Sequence, residues 1–291
     1  MANANFRRIR NVFAAVAVTA LIAACSPQSD TASTPTAEGT AASCSAESLA
    51  TLTTGKLTIA TGEPAYYPWV IDDKPESGEG FEAAVAYAVA EQLGFAKEDV
   101  VWVRTTFDGA ITPGAKTFDF NLQQFSITEE RKAAVDFSSP YYSAPQAIVS
   151  FKGSAIEGKT AIADLKDAKL GAAVGTTSLE AVKNQIGVEP QVFNDNAAAV
   201  QALINGQIDG IVVDLPSAFY VSAVQIESGD GIIVGQLPAT GDGDNFGLLL
   251  AKDSPITSCV SQAVDALRAD GTLDSIAATW LGTDAGAPVL K

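Results

Sequence analysis

FDFNLQQFSITEERKAAVDFSSPYY, residues 118–142, carries most of the information about this chain. Phe118 to Leu122 reads as a short buried strand and Gln123-Gln124-Phe125-Ser126-Ile127-Thr128 as a polar turn; Glu129-Glu130 open an acidic first helical turn that carries Arg131. Once the N-terminal segment is removed, Arg131 is one of three arginines in the chain. A guanidinium beside a helix N-terminus, with Ser126 and Thr128 offering hydroxyls and backbone N–H groups, is equipment for gripping a small carboxylate. The same spacing serves equally well an arginine paired with Glu129 or Asp136 on a solvated face.

Outward from this stretch, strand and helix patterns alternate. Lys56 to Ala60 reads as a strand that runs into an aromatic-rich loop, Thr61 to Trp69. In GFEAAVAYAVAEQLGF, residues 80–95, Phe81, Val85, Val89 and Leu93 fall at four-residue steps on one helical face that Gly94 stops; that face is core and implies no cofactor. Val100 to Arg104 is the next strand, and Ile111 to Lys116 a short helix interrupted by Pro and Gly. Further on, Pro145–Phe151, Lys169–Val174, Gln191–Asn194, Ile208–Asp214 and Phe246–Lys252 read as strands. Ala161–Asp167 reads as a helical turn, and Leu179–Ile186 and Ala197–Asn205 as helices. This alternation predicts α/β layers with mainly parallel sheets. Asp119 and Asp209 each precede an apolar strand, an echo that suits two lobes of similar topology presenting ligand groups at strand ends.

Composition narrows the function. With 291 residues, 47% of them hydrophobic, the chain can bury a substantial core. Its net charge is −16, and removing the leader with its three arginines and no acid takes this to −19, which argues against nucleic acid as a partner. The leader has a basic start (Arg7, Arg8, Arg10) and an apolar run from Val12 to Ala24, too short to span a bilayer, so it reads as a signal peptide over residues 1–24. Ser26 to Ser43 is rich in Ser, Thr, Ala and Pro, a flexible tether. Cys44 and Cys259, in an exported and oxidising setting, are expected to form one disulfide. A calcium reading of Gly241-Asp242-Gly243-Asp244-Asn245 fails, because Phe246 breaks the loop pattern and no Glu stands at its twelfth place; no metal is expected.

The run from Asp119 through SITEERKAAVDFSSPYY resembles the extracellular solute-binding proteins of family three, which receive polar amino acids for ABC importers. GFEAA is similar to the family's GF-acid-x-acid helix motif, with Ala84 in place of the second acid, and VDALRADGTLDSIAATWLG, residues 264–282, resembles its closing helices. LIAAC, residues 21–25, resembles a lipobox, which implies lipid on Cys25, palmitate among its acyl chains, and a lipid-anchored protein on the outer face of the cell membrane.

The resemblance implies a two-lobed periplasmic-binding fold of type II: residues 25–44 a lipidated tether, 45–144 plus 246–291 lobe one, and 145–245 lobe two. The two crossing segments would lie near Ala144–Ile148 and Ala239–Asn245. Carried over by motif, Arg131 and the Ser126 region would hold an amino acid's carboxylate, Thr177 would add donors, and Asp214 would take its ammonium. Glu63 and Tyr66 sit in the loop that meets the ligand, Phe107 would cover it, and Gln124, with Gln123, stands where many relatives carry small residues. By themselves, Gly175-Thr176-Thr177 serves as well as a helix N-cap and Asp214 as a cap before Pro216, and Trp69 and Tyr67 read as lobe packing.

The function implied is capture of a polar or basic amino acid for an ABC permease, by a monomer without cofactor or catalysis. The competing reading is an enzyme like the cyclohexadienyl dehydratases, which resemble the same fold; the absence of His excludes a Ser-His-Asp triad and leaves a carboxylic acid such as Glu63. A sensory lipoprotein is a third.

Overall fold

The computed structural model describes residues 44–226, 229–238, 244–281 and 287–291. The leader, Cys25, the tether and Gly241-Asp242-Gly243 lie outside the described residues.

The chain builds two five-stranded sheets in turn. β1 (Leu57–Gly62) leads through the aromatic loop to α1 (Phe81–Gln92). Gly80 makes that entry possible: its φ is +105° and an added Cβ would lie 2.5 Å from the Trp69 carbonyl oxygen, so only glycine fits before Phe81. β2 (Val100–Thr105) follows, then α2 (Phe107–Ile111), β3 (Phe120–Asn121), α3 (Glu129–Lys132) and β4 (Val135–Ala144). The first sheet runs β2-β1-β3, then β10 (Asp244–Ala251), then β4.

Only Pro145 separates β4 from β5 (Gln146–Phe151), which enters the second sheet. There the chain adds β6 (Leu170–Ala173), α4 (Thr177–Ala181), β7 (Gln191–Phe193), α5 (Asn196–Ile204), β8 (Gly210–Asp214), α6 (Leu215–Tyr220) and β9 (Gly231–Gln236), in the strand order β7-β6-β8-β5-β9. After β10, α7 (Thr257–Ala269) and α8 (Thr272–Trp280), separated by the left-handed Gly271, pack against α1. Cys44 and Cys259 are joined, tying the first described residue to α7.

Four differences from the sequence reading have physical causes. Both sheets are mixed rather than mainly parallel: the strands that pass between sheets, β4, β5 and β10, pair antiparallel, while β1, β2, β3 and β6, β7, β8 pair parallel. β4 is a ten-residue strand whose alternation Pro140 hides; that proline sits at a register shift opposite Gly247, where a missing N–H is tolerated. The helix expected over 111–116 lies instead at 107–111. Thr106 caps it by accepting from Gly109 N, and Thr112, held extended before Pro113, ends it. Finally, the last residues do not belong with the first sheet: Leu290 N donates to Gln236 O at 2.9 Å, and Leu290 is buried among Ile148, Leu170 and Val212 of the second.

The echo between the two aspartates has a structural basis. Asp119 Oδ2 accepts from Thr58 N, and Asp119 N donates back to Thr58 O, both at 2.7 Å. Asp209 Oδ2 accepts from Lys169 N and its N–H returns to Lys169 O, again at 2.7 Å. Each acid clasps the strand beside its own at the same point in its sheet.

Candidate functional site

A cavity of about 380 Å³ opens between the two sheets, at the carboxyl ends of β1 and β8. Its size suits a small molecule. Arg131 reaches it from α3, where Thr128 caps the helix by accepting from Arg131 N. The solvated-face reading of this arginine does not hold: Arg131 is 9% exposed, while Glu129 pairs with Lys132 at 2.8 Å and Asp136 with Lys252 at 3.2 Å. Nη1 donates to Ser126 O and Nη2 to Gly175 O, each at 2.8 Å, so the guanidinium links the two halves of the molecule. Phe107 lies under it, the ring centroid 5.3 Å from Cζ, and stacks on Phe125 at 4.9 Å.

Asp214 enters from the opposite side, at the end of β8 and ahead of Pro216. Its side chain caps no helical N–H; Oδ1 accepts instead from Gln146 Nε2 at 2.7 Å. Burial pushes the Asp214 carboxyl up to about 7; the neighbouring Asp244 adds to this, and the Gln146 hydrogen bond and Arg131 oppose it.

Thr177, Glu63, Tyr66 and Phe107 also line the cavity. Thr176, not Thr177, is the cap of α4, accepting from Leu179 N, which leaves the Thr177 hydroxyl to approach Ser126 Oγ at 3.1 Å across the cleft. Gly175 takes φ +73°, and an added Cβ would stand 2.7 Å from Asp108 Oδ1. Ser126, 2% exposed, stands behind the lining, where its carbonyl anchors Arg131. Gln124 lines the cavity, yet its side chain is engaged by Glu82: the backbone N–H donates to Oε1 at 2.7 Å and Nε2 donates to Oε2. Gln123 also lines the cavity, and its buried Oε1 has no hydrogen-bond partner among the described residues.

Three participants were not singled out from sequence. Glu82, 1% exposed in α1, lines the cavity and also accepts from Tyr141 Oη; burial raises it to about 7, against the hydrogen bonds from Tyr141 and Gln124. The acid in the Gly-Phe-acid motif was its signal. Asp195, the cap of α5, faces Tyr66. Trp69 lines the cavity and donates from Nε1 to Ser217 Oγ of α6 at 2.9 Å, so it is more than packing. Beside it Tyr67 and Tyr220 bring their rings to 4.8 Å.

Chemically, one buried guanidinium and one carboxylate from opposite halves, with hydroxyls and rings between them, can hold a zwitterion. Among the described residues no helix is long and apolar enough to cross a membrane.

The L-arginine-binding protein of Pseudomonas aeruginosa is 31% identical over 236 residues, covering 76% of this chain and 86% of that protein. The L-cystine-binding protein TcyJ of Escherichia coli is 30% identical over 229 residues, covering 76% and 81%. Among solved structures, an ancestral arginine-binding protein bound to arginine superposes with a TM-score of 0.64 at 32% identity, covering 77% of this chain and 97% of the other. The ancestral amino acid-binding protein AncCDT-1, a precursor of cyclohexadienyl dehydratase, gives 0.63 at 30%, covering 78% and 95%. The sequence profile of the bacterial extracellular solute-binding proteins, family 3, matches residues 57–283, and the chain belongs to that family.

Proposed function

We propose that this protein captures a polar or basic amino acid between two closing lobes and delivers it to an ABC permease. The observation that carries the reading is that Arg131 and Asp214, one from each half, line a single cavity. Carboxylate against guanidinium and ammonium against carboxylate then hold both lobes on one ligand, and a ligand that touches both favours the closed arrangement. Five acids, Glu63, Glu82, Asp108, Asp195 and Asp214, share that lining with one arginine, which supports a cationic side chain. The relatives named for arginine point the same way. Calorimetric titration of the purified protein with L-arginine, L-lysine, L-histidine and L-glutamine tests this: saturable heat with at least one is expected, and none with all four sinks it. Lipid on Cys25 would anchor the protein outside the membrane as a monomer; Cys25→Ser should then move it from the membrane fraction to the soluble one.

A second reading has one observation behind it: Glu82, a buried acid titrating near neutrality against the cavity, is suited to general acid work, whereas Glu63 is exposed. The likeness to a dehydratase precursor adds to it. Turnover of prephenate or arogenate would establish it; unchanged substrate favours transport.

A further inference from the structure

Gln146 is hydrogen-bonded through both polar atoms of its side chain. It is the first residue of β5, directly after the Pro145 crossing, and is 4% exposed. Its carbonyl oxygen accepts from Ser178 Oγ at 2.6 Å. Its two amide hydrogens go to two acids: Asp214 Oδ1 and Asp244 Oδ2, each 2.7 Å from Nε2. The reverse amide orientation would set an acceptor against two carboxylates, so the network fixes it. The two acids come from different sheets. Asp214 pairs with Gln146 in the second, and Asp244 pairs with Ala144 in the first, at the other strand that passes between them.

One neutral amide therefore holds two carboxyl groups, that of Asp214 on the cavity lining and that of Asp244 outside it. The groups facing Asp214 are Asp244 from β10, Glu82 from α1, Arg131 from α3 and the hydroxyls of Tyr141 and Tyr142 from β4, so Arg131 is the one cation among them. Arg131 also acts on Asp244, so its charge is shared between both acids. Without ligand, two negative charges bridged by an amide in a buried setting favour keeping a proton.

We propose that Asp244 is a positioning acid of the ammonium site, acting through Gln146: the empty cleft holds one proton between Asp214 and Asp244, and a ligand's cationic group replaces it. The proton leaves to solvent as the ligand enters, so one positive charge replaces another beside the two acids. This rests on the reading of the cleft as an amino-acid site, but its first test needs no ligand.

In the unliganded protein with aspartate selectively labelled with ¹³C, one carboxyl resonance should titrate near pH 7, where the Asp214 carboxyl is placed. In Asp244→Asn its midpoint should fall by about one pH unit or more, and in Asp244→Glu it should stay near neutral. If every aspartate of the wild-type protein titrates in the ordinary acid range, or the neutral midpoint survives in Asp244→Asn, the proposal is overturned. A merely structural role for Asp244 would leave that midpoint in place. With L-arginine, L-histidine and L-glutamine as probes, binding heats at pH 7 in phosphate and in Tris should differ by about half a proton released per ligand bound. Binding without buffer dependence overturns the proposal and spares the amino-acid reading. Absence of binding by all three removes that reading and the ligand-linked half of the proposal, while the unliganded titration still decides the shared proton.

Discussion

Arg131 Nη2 donates to the Gly175 carbonyl at 2.8 Å, so a cation carried by the first sheet's side of the molecule ends on the backbone of the second. The same side chain that would bind a carboxylate also links the two halves, and truncating it removes both contacts. Arg131→Ala should weaken amino-acid binding by about 2–5 kcal/mol, a hundredfold or more in Kd. Arg131→Lys should recover little, because an ammonium cannot span Ser126 O and Gly175 O as the fork does. Calorimetry on both variants decides; near-normal affinity in Arg131→Ala would contradict the assignment.

Asp214→Asn should weaken binding by a similar margin at pH 8, since it replaces the acid proposed to take the ligand's ammonium. For the wild-type protein, affinity should rise with pH through about 7 as the Asp214 carboxyl ionises, and level off above. A Kd that is flat between pH 5.5 and 8.5 would separate Asp214 from binding.

Glu82 gives the unliganded protein an unusual pH dependence. Its carboxyl is held at about 7 in the fold against an ordinary value of 4.5, so the folded state binds a proton that the unfolded chain releases. The associated stability is fully present below pH 4.5 and is lost as pH rises through 7, on the order of 3 kcal/mol. The Tm should therefore fall between pH 5 and pH 8; the raised Asp214 carboxyl adds to the same fall, so Glu82→Gln should make it shallower without abolishing it. A Tm slope unchanged by Glu82→Gln would show that the carboxyl is not the source.

Trp69, buried on the cavity lining, and Ser217 of α6 join the two halves with one neutral hydrogen bond. Such a bond is worth about 1 kcal/mol, so Ser217→Ala should raise Kd about fivefold, mainly through faster release. Stopped-flow dissociation measures this directly; an unaltered off-rate would remove the pair from closure.

The Cys44–Cys259 bridge joins residues 215 apart in sequence and lies away from the cavity lining. Replacing both by Ala should lower stability by about 2–4 kcal/mol and leave Kd unchanged. Denaturant unfolding with parallel calorimetry checks both halves of the statement.

Much of this was legible in the chain. The four-residue apolar steps of Phe81, Val85, Val89 and Leu93 demand a helix with one buried face, and the Phe118–Tyr142 stretch carries a buried strand, a capped turn and Arg131 in fixed order. Local spacing settles such things because neighbours in sequence are neighbours on a helix or turn. β4 was not legible, because Pro140 interrupts its alternation and only pairing with β10 sustains it. Nor could sequence choose between Arg131 on a solvated face and Arg131 in a cleft, since Ser126 O is five residues away and Gly175 O forty-four. Asp214, Gln146 and Asp244 lie 68 and 98 residues apart in their hydrogen-bonded pairs, and their meeting depends on two strands crossing between sheets. Sequence by itself determined which side chains were available and on which local elements they ride. The tertiary structure decided which charges share a low-dielectric space, because that depends on long-range strand order and not on spacing along the chain.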